Sequence, residues 1–219
     1  MNKSLKDILY DLRFFLIPYL ILLAICLVIK LSFTKDEIYF AVNSRHTLWQ
    51  DDLAPYITDI GNGWTTIAIC FVLLLFSYRK AFLLATSYAL TGGVAAQVLK
   101  FIFDAPRPKL YFANRLKGIY FVKGTDQLSF HSFPSGHTVT AFSTAIVILY
   151  LLKNKSWGLL LFVVAALVGY SRMYLSQHFF EDVTVGSILG FVVTVIWVYW
   201  IDSKLFLHSK VWNRGLLKS

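Results

Sequence analysis

The sequence predicts an all-α fold, a polytopic integral membrane protein of six transmembrane helices preceded by a short N-terminal interfacial helix. Three observations predict it. Of the 219 residues, 57% are hydrophobic and only 15% charged, and the mean hydropathy is +0.62, a composition that argues against a water-soluble globule. Apolar windows long enough to approach a bilayer's thickness recur along the chain. The 21 Lys and Arg against 12 Asp and Glu fall between those windows rather than on one continuous basic face. Topology therefore explains the net charge of +9, and no nucleic-acid partner is expected. The length fits one domain over residues 1–219.

The elements follow in order. In residues 1–13, Leu5, Ile8, Leu9 and Leu12 recur at helical spacing opposite Lys3, Lys6 and Asp7, the pattern of a helix lying on a membrane surface, with a solvated turn as the competing reading. Residues 14–33 form the first span, and without an A-x-A-like cleavage site it reads as an uncleaved anchor. Residues 34–63 are polar and aromatic and close on a loop at Gly61, Asn62 and Gly63. Spans over 64–78 and 81–99 flank Arg79 and Lys80 as a tight helical hairpin with a positive turn. A long polar loop from Phe103 to about Pro134 comes next. Spans over 138–152 and 157–170 flank the basic turn "KNKS", and 183–201 is the last span before a cytoplasmic tail at 202–219. Cys26 and Cys70 each sit inside an apolar run and read as packing residues. Several windows are only 14 or 15 residues long, so their helices extend into polar flanks or stop short of one surface.

Charge sets the orientation. With the termini and the turns at 79–80 and 153–156 on one side, that side holds eleven basic residues (Lys3, Lys6, Arg13, Arg79, Lys80, Lys153, Lys155, Lys204, Lys210, Arg214 and Lys218) against Asp7, Asp11 and Asp202, while the other side holds ten basic and nine acidic residues. The positive-inside rule makes the termini cytoplasmic.

Three polar clusters then fall on the outer side: Lys100 to Pro108, Pro134 to His137, and Ser171 to Asp182. Ionisable side chains near membrane depth are costly and face a polar cavity, so their convergence there calls for a ligand of opposite charge. Lys100, Arg107 and Arg172 are fixed cations whose natural counterpart is a phosphate. Pro106 and Pro108 forbid continuation of the third helix and hold Arg107 extended. Ser135 stands at an N-cap, and Gly136 lets backbone N–H groups approach an anion at the positive end of the helix dipole. A bound phosphate would keep His137 protonated, able to give its proton to a leaving oxygen. On a continuous helix His178 and Asp182 share a face, so Asp182 can hold one ring nitrogen protonated while the other carries a lone pair, which makes His178 a nucleophile. Each tetrapeptide or pair alone would read as a cap, an interfacial cation or a structural pair. Their coincidence is what points to a site.

The clusters resemble the signature of the type 2 phosphatidic acid phosphatase family, K-x6-R-P, P-S-G-H and S-R-x5-H-x3-D, in the right order and with no departure at a motif position. The similarity covers roughly residues 64–201. It implies a six-helix, metal-independent phosphatase of the bacterial plasma membrane, with its site on the periplasmic or extracellular face and a phosphohistidine intermediate. It implies His178 as nucleophile, His137 as proton donor, Asp182 as orienter, and Lys100, Arg107, Ser135, Gly136 and Arg172 around the phosphate. No cofactor, metal site or obligatory protein partner is expected; the partners are membrane lipids and a lipid phosphate. Among substrates of the family, undecaprenyl diphosphate ranks first, phosphatidylglycerol phosphate or phosphatidic acid second, and a lipid A phosphate third.

Two other functional classes compete for the same residues. Halide oxidation by bound vanadate is known for relatives with this pocket, but those are large soluble proteins. A non-catalytic phosphate-binding membrane protein or transporter would need only the cations, not His137, His178 and Asp182. The loop from Lys109 to Phe133, with Tyr111, Phe112, Tyr120, Phe121 and Phe130, is the expected seat of substrate choice, and its aromatic surface suggests sideways entry of a lipid head group. Asp104 and His131 read first as solvated loop residues, with orientation of Arg107 and contact to substrate as their respective competing roles. Gly186 and Gly190 form a G-x-x-x-G expected to pack helices of the same chain closely.

Overall fold

The computed structural model of the chain describes residues 3–217, the side chain of Lys117 excepted, so Lys218 of the basic tail lies outside the described residues. The chain folds into α1 (Leu5–Asp11), α2 (Arg13–Ser32), α3 (Lys35–Asn43), α4 (Leu48–Ile60), α5 (Gly63–Phe76), α6 (Tyr78–Tyr88), α7 (Ala96–Phe103), α8 (Pro108–Tyr111), α9 (Gly136–Leu151), α10 (Gly158–Tyr174) and α11 (Phe180–Asp202). A π-helical turn, Ala89–Ala95, joins α6 to α7.

Four helical stretches are long and apolar enough to cross a membrane, and five if the α4–α5 pair, bent by 51°, is one span; α9, with 16 residues, is a shorter apolar helix. The α9 sequence "GHTVTAFSTAIVILYL" carries no Asp, Glu, Lys or Arg, and a helix without charge on any face can sit in an interior. Twelve of its sixteen residues are buried, and α6, α10 and α11 pack around it. Phe15 and Tyr19 of α2 reach the same core and meet Phe142, Phe162 and Phe191 ring to ring. The remainder of α2 is apolar yet exposed along Ile17, Leu20, Ile21, Leu27, Val28 and Leu31, the face such a helix turns to lipid.

Two segments add to the expectation. The loop at Gly61, Asn62 and Gly63 is the short break between α4 and α5, but the polar stretch before it holds two helices, α3 and α4: the Thr34 hydroxyl accepts from the Glu37 N–H and the Glu37 carboxylate accepts from Thr34, a reciprocal cap that starts α3. Residues 1–13 do contain a helix, α1, capped by Ser4 and Asp7. Its apolar face is turned into the protein, with Ile8 and Leu12 buried in the main core and Leu5 exposed.

The bundle has two distinct ends. At one, Lys3 and Lys155 both approach Asp11, Arg79 grips Asp202 through Nε and Nη2, and the Tyr150 hydroxyl donates to the same carboxylate. The segment after α11 folds back there, with the Tyr78 and Arg79 amides donating to the Arg214 and Trp212 carbonyls. At the other end, Lys30 near the close of α2 pairs with Glu181 in the first turn of α11. A helix of 23 residues such as α11 separates the two ends by about 34 Å.

Candidate active site

All eight singled-out residues stand at the Glu181 end, brought there by three breaks in helical structure. The first break ends α7. Asp104 takes a left-handed conformation, φ 36°, and Pro106 and Pro108 prevent the helix from resuming before α8. Arg107 is thus lifted off the helix into the interior, where it is 5% exposed. Its amide donates to Ser129 O at 2.8 Å and its Nε to Phe130 O at 2.9 Å. Lys100, in the last turn of α7, reaches the start of α9: its Nζ lies 3.3 Å from where a Cβ on Gly136 would stand. Any larger residue at Gly136 would crowd that ammonium.

The second break is the entry to α9. Ser135 occupies the N-cap position as expected, but its hydroxyl does not cap the helix. It accepts from Thr138 Oγ1 at 2.9 Å, and its N–H donates to Asp182 O at 2.9 Å, tying α9 to the first turn of α11. His137 follows in the first turn of α9, half-buried.

The third break separates α10 from α11. His178 and Asp182 do not lie on one continuous helix: α10 ends at Tyr174, Ser176 turns the chain with φ 55°, and α11 begins only at Phe180. The Gln177 and His178 amides both donate to Arg172 O, at 3.0 and 3.2 Å, which folds the linker back over the end of α10. Asp182, three residues beyond the Phe179 N-cap, accepts from the Phe179 N–H at 2.9 Å, a carboxylate placed where the helix dipole favours it. This turn, not a shared helical face, sets His178 Nδ1 3.4 Å from Asp182 Oδ2. His178 is 1% and Asp182 3% exposed. Burial, and then the charges of Arg107, Arg172 and Lys100, hold the His178 imidazole well below its ordinary pKa. The ring is neutral, and with Nδ1 turned to Asp182 its Nε2 is the nitrogen left with a lone pair.

Arg172, 5% exposed, donates from Nη1 to Thr58 Oγ1 at 2.7 Å and from Nη2 to Gln177 Oε1 at 2.6 Å. Its Nε is buried with no partner among the described residues. A buried donor left unmet costs about 1–3 kcal/mol, so a ligand oxygen there would be welcome. Two fixed guanidiniums, an ammonium, a helix N-terminus and a neutral imidazole oriented by a carboxylate can bind a tetrahedral anion and attack its centre. Among the described residues no group of three or more His, Cys, Asp and Glu could hold a metal ion.

Other expectations sort differently. Among the described residues Asp104 makes no hydrogen bond or ion pair to Arg107; it meets His131, an exposed side chain, at 3.2 Å. Phe112 is buried against Tyr39 and Phe179, and Tyr120 stacks on His46 and donates to Asp51, so both hold the outer layer together. Tyr111 and Phe130 remain exposed. Three buried polar residues have no motif of their own in the sequence: Thr58 on α4, Gln177 beside His178, and Ser132, whose hydroxyl donates to Asp182 Oδ2 at 2.5 Å.

Several long apolar helices and a buried, cation-lined site at one end of them define an integral membrane protein with a pocket suited to an anion. Residues 80–206 match the PAP2 superfamily model, and the chain belongs to that superfamily. It is 29% identical to the lipid A 4′-phosphatase of Porphyromonas gingivalis over 69% of this chain and 70% of that protein. It is 28% identical to the undecaprenyl-diphosphatase of Sulfolobus acidocaldarius over 83% of this chain and 80% of the relative. Among solved structures, a transmembrane PAP2-type phosphatidylglycerolphosphate phosphatase from Bacillus subtilis superposes with a TM-score of 0.65 at 25% identity, over 90% of this chain and 98% of that one. These relatives are membrane lipid phosphatases.

Proposed function

We propose that this chain hydrolyses a phosphomonoester or diphosphate on a lipid head group through a phosphohistidine at His178. The observation that carries the reading is the buried His178–Asp182 pair facing two arginines that, among the described residues, form no salt bridge with a carboxylate. Nε2 of His178 attacks phosphorus in line; a P–N bond forms as the P–O bond to the leaving lipid alcohol or lipid phosphate breaks, and His137 gives that oxygen its proton. Water then attacks phosphorus, His137 takes the water's proton, the P–N bond breaks and inorganic phosphate leaves. Lys100, Arg107, Arg172 and the first turn of α9 stabilise the charge that spreads over the equatorial oxygens, the task a divalent cation performs in other phosphatases. The reading is therefore metal-independent.

Undecaprenyl diphosphate is placed first among substrates, phosphatidylglycerol phosphate or phosphatidic acid second and a lipid A phosphate third; relatives named for the first, second and last of these chemistries support the set. Six crossings, with α9 as a short sixth, put the site at the outer face of a bacterial plasma membrane and both termini inside. The grouping of Lys3, Arg79, Lys155 and Asp202 at the end remote from the site supports that placement. The test is phosphate release by the purified chain in detergent micelles over a panel of lipid mono- and diphosphates. At least one lipid phosphate is turned over, and His178→Ala abolishes release while the protein stays folded. Release persisting in His178→Ala overturns the nucleophile, and no release from any lipid overturns the reading.

A further inference from the structure

The arginines of the site are held by neutral acceptors. Arg172 is clamped at its two terminal nitrogens by the Thr58 hydroxyl and the Gln177 amide oxygen, at 2.7 and 2.6 Å. Arg107 donates from Nη1 to the Gln177 carbonyl at 3.2 Å and to the same amide oxygen at 3.4 Å. One amide oxygen thus receives both guanidiniums. Gln177 is itself fixed: its Nε2 donates to Asp126 O at 2.5 Å and its backbone N–H to Arg172 O at 3.0 Å. The Asp126 carbonyl requires an NH2 opposite it, which turns the amide oxygen toward the arginines.

A buried guanidinium needs acceptors, and a carboxylate is the usual one. A carboxylate here would fix the geometry equally well and would also cancel the charge a phosphate must find. A hydroxyl and an amide fix the geometry and leave both positive charges whole. The Arg172 Nε, buried and unpartnered among the described residues, stays as the donor directed at a ligand.

Thr58 comes from outside the segment that matches the superfamily, residues 80–206. It stands on α4, buried, three residues before the bend at Gly61. A Cβ at Gly61 would lie 2.7 Å from His137 O and 2.5 Å from Val168 Cγ1, so only glycine allows the end of α4 to seat against the first turn of α9 and the flank of α10. That seat carries Thr58 to Arg172.

The geometry points to Thr58 and Gln177 as positioning residues that aim Arg172 and Arg107 at the phosphate without neutralising them. The inference rests on the phosphatase reading and adds to it two residues that touch no substrate. The experiment is binding of inorganic phosphate and orthovanadate to the full chain in detergent micelles, by calorimetry, with the thermal unfolding midpoint measured beside it. Wild type binds, and Arg172→Ala does not. Thr58→Val weakens binding about tenfold, and Thr58→Ser restores it to within about twofold, the effect expected for one hydrogen bond to a charged group. Gln177→Glu keeps the unfolding midpoint at or above that of wild type, because the new carboxylate pairs with both arginines, yet weakens anion binding about tenfold or more. A structural role alone would move the midpoint and the affinity together. Wild-type affinity in both Thr58→Val and Gln177→Glu overturns this inference alone, whereas no anion binding by wild type overturns it together with the phosphatase reading. If Thr58→Val fails to fold, Gln177→Glu decides.

Discussion

Asp182 accepts through a single oxygen, Oδ2, from the Ser132 hydroxyl, the Phe179 amide and the His178 ring. Two of those partners are fixed by the α11 turn, so Ser132, fully buried, is the one that arrives from another segment and locks the carboxylate's rotation. Ser132→Ala removes it. Loss of one hydrogen bond to a charged group, about 1.5–3 kcal/mol, lets the carboxylate turn away from Nδ1 and lowers kcat roughly tenfold or more, with KM close to wild type, in steady-state phosphate release. A rise in KM at unchanged kcat would place Ser132 on the substrate instead. The residues proposed for the chemistry were legible because each cluster is local: "PSGH" and "SRMYLSQH" announce themselves by composition. Their supports were not. Thr58 and Ser132 act on residues 114 and 50 positions away, and nothing local distinguishes them from any other threonine or serine. Gln177 adjoins His178, but which way its amide points depends on the Asp126 carbonyl.

At the level of elements, apolar windows located α2, α5, the stretch from α6 through α7, α9, α10 and α11 within a few residues, because burial in a bilayer imposes one requirement on every residue of a span. Polarity concealed α3 and α4, whose helicity rests on caps and on packing against α10 and α11. The pairing of His178 with Asp182 depends on a turn, which helical periodicity cannot express. The G-x-x-x-G of α11 lies at the seam with α9: a Cβ on Gly190 would fall 2.5 Å from Val139 O, and one on Gly186 2.9 Å from Ser135 O. Both obstacles are backbone, which cannot rotate aside. Gly190→Val must therefore push α9 away from α11, along with the Ser135–Asp182 tie that sets the site. Overpacking of this kind costs about 1–3 kcal/mol, so the unfolding midpoint in detergent falls and phosphate release falls with it. An unchanged midpoint and activity, with an altered oligomer size on gel filtration, would show that the seam joins two copies of the chain.

The molecule as a whole treats charge oppositely at its two ends. Remote from the site, Asp202 is matched by Arg79 and by the Tyr150 hydroxyl, and Asp11 by Lys3 and Lys155, so charge there is paired within the chain. At the site, Arg107 and Arg172 are buried on neutral acceptors, and Lys30 and Glu181 pair at the margin. Pairing is what an end needs if it has only to be stable, and unpaired cations are tolerable only where an anion comes and goes. Under the proposed function that asymmetry marks the end that meets the substrate, and the positive-inside rule, applied to the Lys and Arg of the short turns, assigns the other end to the cytoplasm. Together they require opposite accessibility for Lys123, exposed on the site end, and Lys210, exposed on the tail. In a chain with Cys26 and Cys70 replaced by alanine, a membrane-impermeant maleimide labels Lys123→Cys in intact cells and labels Lys210→Cys only after permeabilisation. The reverse pattern would put the site in the cytoplasm, where a lipid carrier's outer-leaflet phosphate could not reach it, and the substrate order proposed above would have to be abandoned with the orientation.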